Sequence, residues 1–221
     1  MIILQGDTDP SMMQVIMMAP VASFIFAITI ASSLWAFYND ALYSNMIMQP
    51  YAVARRYRVY TLLTSGMIHA DYMHLLFNML TYYFFAFNLE PLIGHWQFGL
   101  LYVLSLILSD LPTVYKHRND EWYSCLGASG AVSAVIFSSI VHNPVGLMGI
   151  LFLPFPIYAV VFGVLYLVYC SYASKNARDN INHDAHFFGA VSGVFITIAL
   201  HHEWLPLFFE QISAKVQSLL H

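Results

Sequence analysis

Residues 122–174 read WYSCLGASGAVSAVIFSSIVHNPVGLMGILFLPFPIYAVVFGVLYLVYCSYAS, fifty-three positions between Glu121 and Lys175 without one Asp, Glu, Lys or Arg. A membrane-crossing helix needs about twenty predominantly apolar residues. The run is therefore long enough for two spans and a turn. Asn143-Pro144 and Pro154-Phe155-Pro156 supply the breaks between them, because proline cannot continue a helix and asparagine favours turns.

Working outward, the rest of the chain has the same character. It has 221 residues, 59% hydrophobic and 9% charged, whereas soluble domains carry roughly a quarter charged residues. Asp9 and Asp40 bracket a second uncharged run. The expected architecture is an all-α polytopic membrane protein with six spans. The first runs from about Val15 to Phe37, the second from Met67 to Leu89 and the third from His95 to Tyr115. The fourth starts near Leu126 and ends before Asn143, the fifth follows Pro156 to about Ala173, and the sixth covers about Ala185 to His201. Residues 1–14 read as a tail and 15–202 as one six-span domain. Residues 203–221 have Leu and Phe at helical spacing, as in an amphipathic helix on a membrane surface. The connection after the first span is too long for a tight turn, and Tyr43, Met46, Met48 and Tyr51 make it a folded loop at the membrane interface. No cleavable signal peptide is expected, since a basic n-region is missing and the first apolar run is too long.

The net charge of −4 implies no strongly charged partner, and no nucleic acid is expected. Cys125 and Cys170 form neither a metal spacing nor a disulfide framework. Seven of the eight Lys and Arg residues fall in the first, third and fifth connections. Taken alone, the positive-inside rule assigns those loops to the cytoplasm.

Ionisable and polar residues within spans are functional candidates by default. Ser129 lies between Gly127 and Gly130 at the start of the fourth span. A lone membrane serine usually bonds back to its own helix. Here, however, flanking glycines leave amide groups accessible at a helix N-terminus, where free N–H groups and the dipole suit a developing oxyanion. His186 sits at the matching edge of the sixth span, on a stripe of Ala185, Gly189 and Gly193 that permits close helix packing. If that stripe meets the small face Gly130, Ser133 and Ala134, the imidazole reaches the serine and activates it. In the second span His74 and Asn78 share a helix face. They are either oxyanion donors or a structural polar pair. Asp184 points off the face of His186, so a Ser–His dyad without a carboxylate is the simpler arrangement, with the imidazole held by packing or by stacking on an aromatic ring.

Taken together, these motifs resemble the rhomboid proteases over about Arg58 to Gly193. HxxxxHxxxN appears as His69, His74 and Asn78, followed by Glu90 and Gly94. GxSG appears as Gly127 to Gly130, and AHxxGxxxG as Ala185, His186, Gly189 and Gly193. The resemblance implies a six-helix bundle with its site in a water-filled cavity below the outer membrane surface. It makes Ser129 the nucleophile and His186 the general base, with His74, Asn78 and the Ser129 backbone N–H binding the oxyanion. It also implies that residues 38–66 form the interface loop and residues 156–184 move for substrate access. Substrates would be single-span membrane proteins cut in or near their helices, with no cofactor. The family topology puts the termini in the cytoplasm and the site toward the outside, against the charge count. We follow it because Glu90 and the site-bearing ends of three spans make sense together only in that bundle. A bacterial plasma membrane is the expected host.

Two positions depart from the family. Tyr60-Thr61 replaces a Trp-Arg pair before the second span, and Arg58 is expected to take over its loop-stabilising role. Ser133 stands where some relatives have a tyrosine that stacks on the catalytic histidine. Two other readings compete with the protease. A metal-dependent membrane hydrolase would gather His69, His74, His183 and His186, with Asp71 or Asp184 nearby, but no HExxH pair is present. A non-catalytic relative that binds membrane clients would typically lack the serine or the histidine, and this chain has both.

Overall fold

The computed structural model describes residues 12–149, 155–177, 179 and 181–220. Most of the predicted N-terminal tail, Pro154 of the second break and Arg178 of the last connection lie outside the described residues. The described residues are predominantly helical. In order, the helices are α1 (Met12–Met18), α2 (Pro20–Ala36), α3 (Asp40–Met46), α4 (Pro50–Ala54), α5 (Thr61–Thr64), α6 (Tyr72–Ile93), α7 (His95–Lys116), α8 (Ser129–His142), α9 (Ala159–Asn176), α10 (His183–Leu200) and α11 (Trp204–Leu220).

A helix lies on each of the six stretches read as spans. By length and composition α7 and α10 suffice to cross a membrane, while α2 and α8 are apolar but shorter. The breaks have local causes. Pro20 opens α2, so the first apolar run is split after Met18. Asp71 accepts from the His74 N–H at 2.8 Å and caps α6, which fixes that helix start at Tyr72. Met67, where the second span is expected to start, instead ends a 3-10 turn over Ser65–Met67. Gly94, at φ 93°, ends α6 and turns the chain directly into α7. One departure from an all-α fold is a two-residue antiparallel ribbon, β1 (Leu147–Met148) with β2 (Ile157–Tyr158), across the connection before α9.

α8 is the axis of the bundle. Gly130 to Ser138, Ile140 and Val141 are all buried, and α6, α7, α9, α10 and α11 pack around it. Large apolar side chains face outward instead on α6 (Met73, Leu76, Leu80, Phe84), α7 (Val103, Leu104, Leu108) and α9 (Val164, Leu165, Val168, Tyr172). Apolar side chains on the outside of a helical bundle suit a lipid solvent, in which helices satisfy most of their backbone groups internally.

Two sets of polar contacts hold this arrangement at opposite ends. Glu90, fully buried, accepts from the backbone N–H groups of Val21 (3.1 Å) and Ala22 (2.6 Å) and meets His95 Nδ1 at 2.6 Å. Its carboxylate thus caps α2 from α6, satisfying donors a helix start leaves unpaired. At the other end, the connection after α2 is folded, as its composition predicts. Arg58 donates to Gln49 Oε1 (3.2 Å) and to the Ser44 carbonyl, and Arg55 donates to the carbonyls of Tyr51 (3.0 Å) and Arg118 (2.7 Å). Met48, Val53 and Leu62 form a small core of their own against α7.

Candidate active site

The segment entering α8 is stitched to the interface loop. Cys125 and Met48 exchange backbone hydrogen bonds of 3.0 and 3.1 Å, and the Gly127 N–H donates to the Ser65 carbonyl at 2.9 Å. Gly127 has φ 115°, a conformation that glycine adopts without strain. A Cβ at that position would also lie 2.7 Å from His74 Cε1. The turn thus brings the His74 imidazole against the backbone just before Ser129.

Ser129 is the first residue of α8, with Ala128 before it. The fourth span is expected to start near Leu126, which would place Ser129 one turn inside it. It opens the helix instead, because residues 126–128 are not helical. Its N–H is therefore one of the amides that a helix start leaves without an intrahelical partner.

α10 crosses α8 with almost no side-chain layer between them. A Cβ on Gly189 would sit 2.9 Å from Gly130 Cα, and one on Gly193 would sit 2.6 Å from Ala134 Cα. The small stripe and the small face predicted from sequence do meet. The start of α10 is set by Asn182, whose Oδ1 accepts from the Ala185 N–H at 3.1 Å and whose amide bonds Thr113 of α7 at 3.0 Å. Asp184 is engaged by Lys116 Nζ at 2.6 Å.

These contacts bring Ser129, His186, His74 and Asn78 to the walls of one partly open cavity of about 1120 Å³. No hydrogen bond joins the Ser129 and His186 side chains among the described residues. Asn78 Nδ2 donates back to the His74 carbonyl at 3.0 Å, which leaves its second N–H for another acceptor. His69 is bound elsewhere: its Nδ1 lies 3.0 Å from Ser33 Oγ. The four histidines of the metal reading thus do not gather at one point. The donor cluster found among the described residues joins Cys170, His183 and His186.

Tyr166 was not singled out from the sequence. Its ring stacks on His186 with centroids 6.4 Å apart and planes 17° from parallel. Its hydroxyl lies 2.7 Å from Ser133 Oγ. An aromatic ring on α9 therefore faces the imidazole, and Ser133 anchors that ring. Composition could not find it, because α9 carries Tyr166, Tyr169 and Tyr172 and only tertiary packing selects one. Over the cavity, burial pushes the Tyr123 phenol above its usual range. The Asp179 carboxyl is held below its usual range by the Ile181 N–H and then by His183.

Comparison with known proteins identifies the family. The chain is 29% identical over 187 residues to YdcA of Bacillus subtilis (strain 168), named for the rhomboid proteases, covering 80% of this chain and 87% of that one. It is 24% identical over 204 residues to RHOMBOID-like protein 12, mitochondrial, of Arabidopsis thaliana, covering 85% of this chain and 57% of the relative. With Presenilin-associated rhomboid-like protein A, mitochondrial, of Danio rerio it shares 27% over 144 residues, 64% of this chain and 38% of the relative. The sequence profile of the Rhomboid domain matches residues 56–203, so the chain belongs to the rhomboid family of integral membrane proteins.

Proposed function

We propose that this protein is an intramembrane serine endopeptidase that cuts single-span membrane proteins in or near their transmembrane helix. The observation that carries the reading is the seating of Ser129 at the open N-terminus of a buried helix, on one cavity with His186, across a glycine-on-backbone crossing of α8 and α10. In this reading His186 takes the Ser129 proton as the hydroxyl attacks the scissile carbonyl, then returns it to the leaving amine. The Ser129 N–H, the His74 imidazole and the Asn78 amide receive the oxyanion. His74 is supported by its approach to Gly127, and Asn78 by its place on the same wall. Tyr166 orients the imidazole in place of a carboxylate.

In this reading residues 15–202 form the six-span catalytic unit, and α11 lies on the membrane surface beside it. The cavity opens to the extracytoplasmic side of a bacterial plasma membrane. Among the loop cations, which the positive-inside rule would place in the cytoplasm, Arg55, Arg58 and Lys116 are engaged by internal partners. That weakens the rule as a guide to orientation here.

The test is cleavage of a labelled single-span reporter by purified protein, wild type beside Ser129→Ala. The expected result is loss of cutting with the single hydroxyl and unchanged thermal stability. Cutting that persists in Ser129→Ala refutes the nucleophile assignment.

A further inference from the structure

Cys170 of α9 and His183 and His186 of α10 each offer a donor atom, and the three atoms lie within 4.8 Å of one another. Cys170 is fully buried and His183 nearly so. The proposed chemistry uses neither. The environment of His183 is what points to a ligand. Its Nε2 faces both carboxylate oxygens of Asp179 at 3.2 Å, while its Nδ1 is buried without a hydrogen-bond partner among the described residues. Leaving such an atom unpaired costs free energy. With the proton on Nε2 and shared with Asp179, Nδ1 presents a lone pair. A carboxylate behind an imidazole is also the usual support of a metal-ligating histidine.

We propose that Cys170, His183 and His186 form an inhibitory site for a borderline-soft divalent cation of the Zn²⁺ class, with a fourth position open to water from the cavity. One thiolate and two neutral imidazoles suit tetrahedral zinc, whose bonds of about 2.0–2.3 Å put donor atoms about 3.3–3.6 Å apart. The donors need to close by about an ångström, within reach of side-chain rotation. Binding sends the Cys170 thiol proton to solvent through the cavity that His183 and His186 line. The bound ion occupies the lone pair His186 needs as a base, and it ties α9 to α10. The inhibitory part rests on the protease reading; the binding site does not.

The two are tested separately. Binding is read by Co²⁺ titration of the full-length, chelator-stripped Ser129→Ala protein, which has no activity to confuse the result. A thiolate-to-cobalt absorption band at one equivalent, bleached by Zn²⁺, is expected. Cys170→Ser should abolish it. Asp179→Asn, at a partly exposed side chain remote from the core, should weaken it by about 10–100-fold. A Ser129→Ala protein that shows no such band, or a band that survives the added Cys170→Ser, overturns the site. Should Cys170→Ser fail to fold, an undiminished band in Asp179→Asn overturns the carboxylate-backed geometry. Inhibition is read by ZnCl₂ titration of reporter cleavage. Full recovery with EDTA is expected, with the midpoint raised at least about tenfold in Cys170→Ser. Equal Zn²⁺ sensitivity of the two proteins overturns the inhibitory role. Absence of any cleavage by metal-free wild type would instead count against the protease reading, leaving the cobalt result to decide the site.

Discussion

Adding one methyl group at Gly189 should separate the two helices that carry Ser129 and His186. A Cβ there would stand 2.8 Å from the Gly130 carbonyl carbon, with the carbonyl oxygen nearer still, whereas ordinary contact begins at 3.4 Å. The obstacle is backbone, which has no rotamer through which to yield. Gly189→Ala must therefore push α10 from α8 by at least about 0.6 Å beside Ser129. Overpacking of this kind costs about 1–3 kcal/mol. A misplacement of 1 Å between reacting groups costs about 100-fold in rate, so kcat/KM should fall by about 10–100-fold. Gly193→Ala meets the Ala134 carbonyl carbon at 2.8 Å, one turn deeper. It should cost similar stability with a smaller loss of rate. Gly99→Ala, whose Cβ would meet Val21 at 3.6 Å, should change neither. The assay is reporter cleavage in detergent and in proteoliposomes, beside thermal unfolding of each variant. Gly189→Ala with wild-type stability and rate would refute the backbone crossing. A rate loss equal in Gly189→Ala and Gly193→Ala would refute the claim that the crossing sets the serine–histidine geometry.

Three further expectations follow from the same contacts. His74→Ala and Asn78→Ala should each leave measurable cleavage reduced by about 10²–10³-fold, the cost of losing one oxyanion donor; full-speed cutting by both would remove them from the oxyanion site. Tyr166→Phe keeps the ring against His186 and loses only the Ser133 contact, so it should retain most activity, whereas Tyr166→Ala should lower kcat with little change in KM. Equal kcat values in the two variants would show that stacking does not position the imidazole. Glu90→Ala strips two backbone N–H groups of α2 and His95 of their buried acceptor, with an expected cost of about 1–3 kcal/mol, read as a lower unfolding temperature in detergent. Wild-type stability would mean that the carboxylate does not cap α2.

The helical, membrane-embedded character of this protein is legible in composition alone. Fifty-three uncharged residues in a row fit helices, which satisfy their own backbone groups in hydrocarbon. The glycine stripes of the fourth and sixth spans were equally readable, because close helix approach needs missing side chains and little else. His74, Asn78, Ser129 and His186 stood out because polar groups are costly at that depth.

Local boundaries were harder, since they turn on competition between single hydrogen bonds. Asp71 caps α6 through a single local bond to the His74 N–H, whereas Gly127, which delays α8 until Ser129, is held by a contact from another part of the chain, the Ser65 carbonyl. Tyr166 and the Cys170–His183–His186 cluster were beyond sequence reasoning for the same reason. Their partners lie on different helices, and a helix in lipid has no polar face to reveal its rotation. An apolar helix exposes to lipid much what it buries, as α9 does, so periodicity carries no orientation. Only the packing of α9 against α8 and α10 turns one of its tyrosines, and its one cysteine, toward the site.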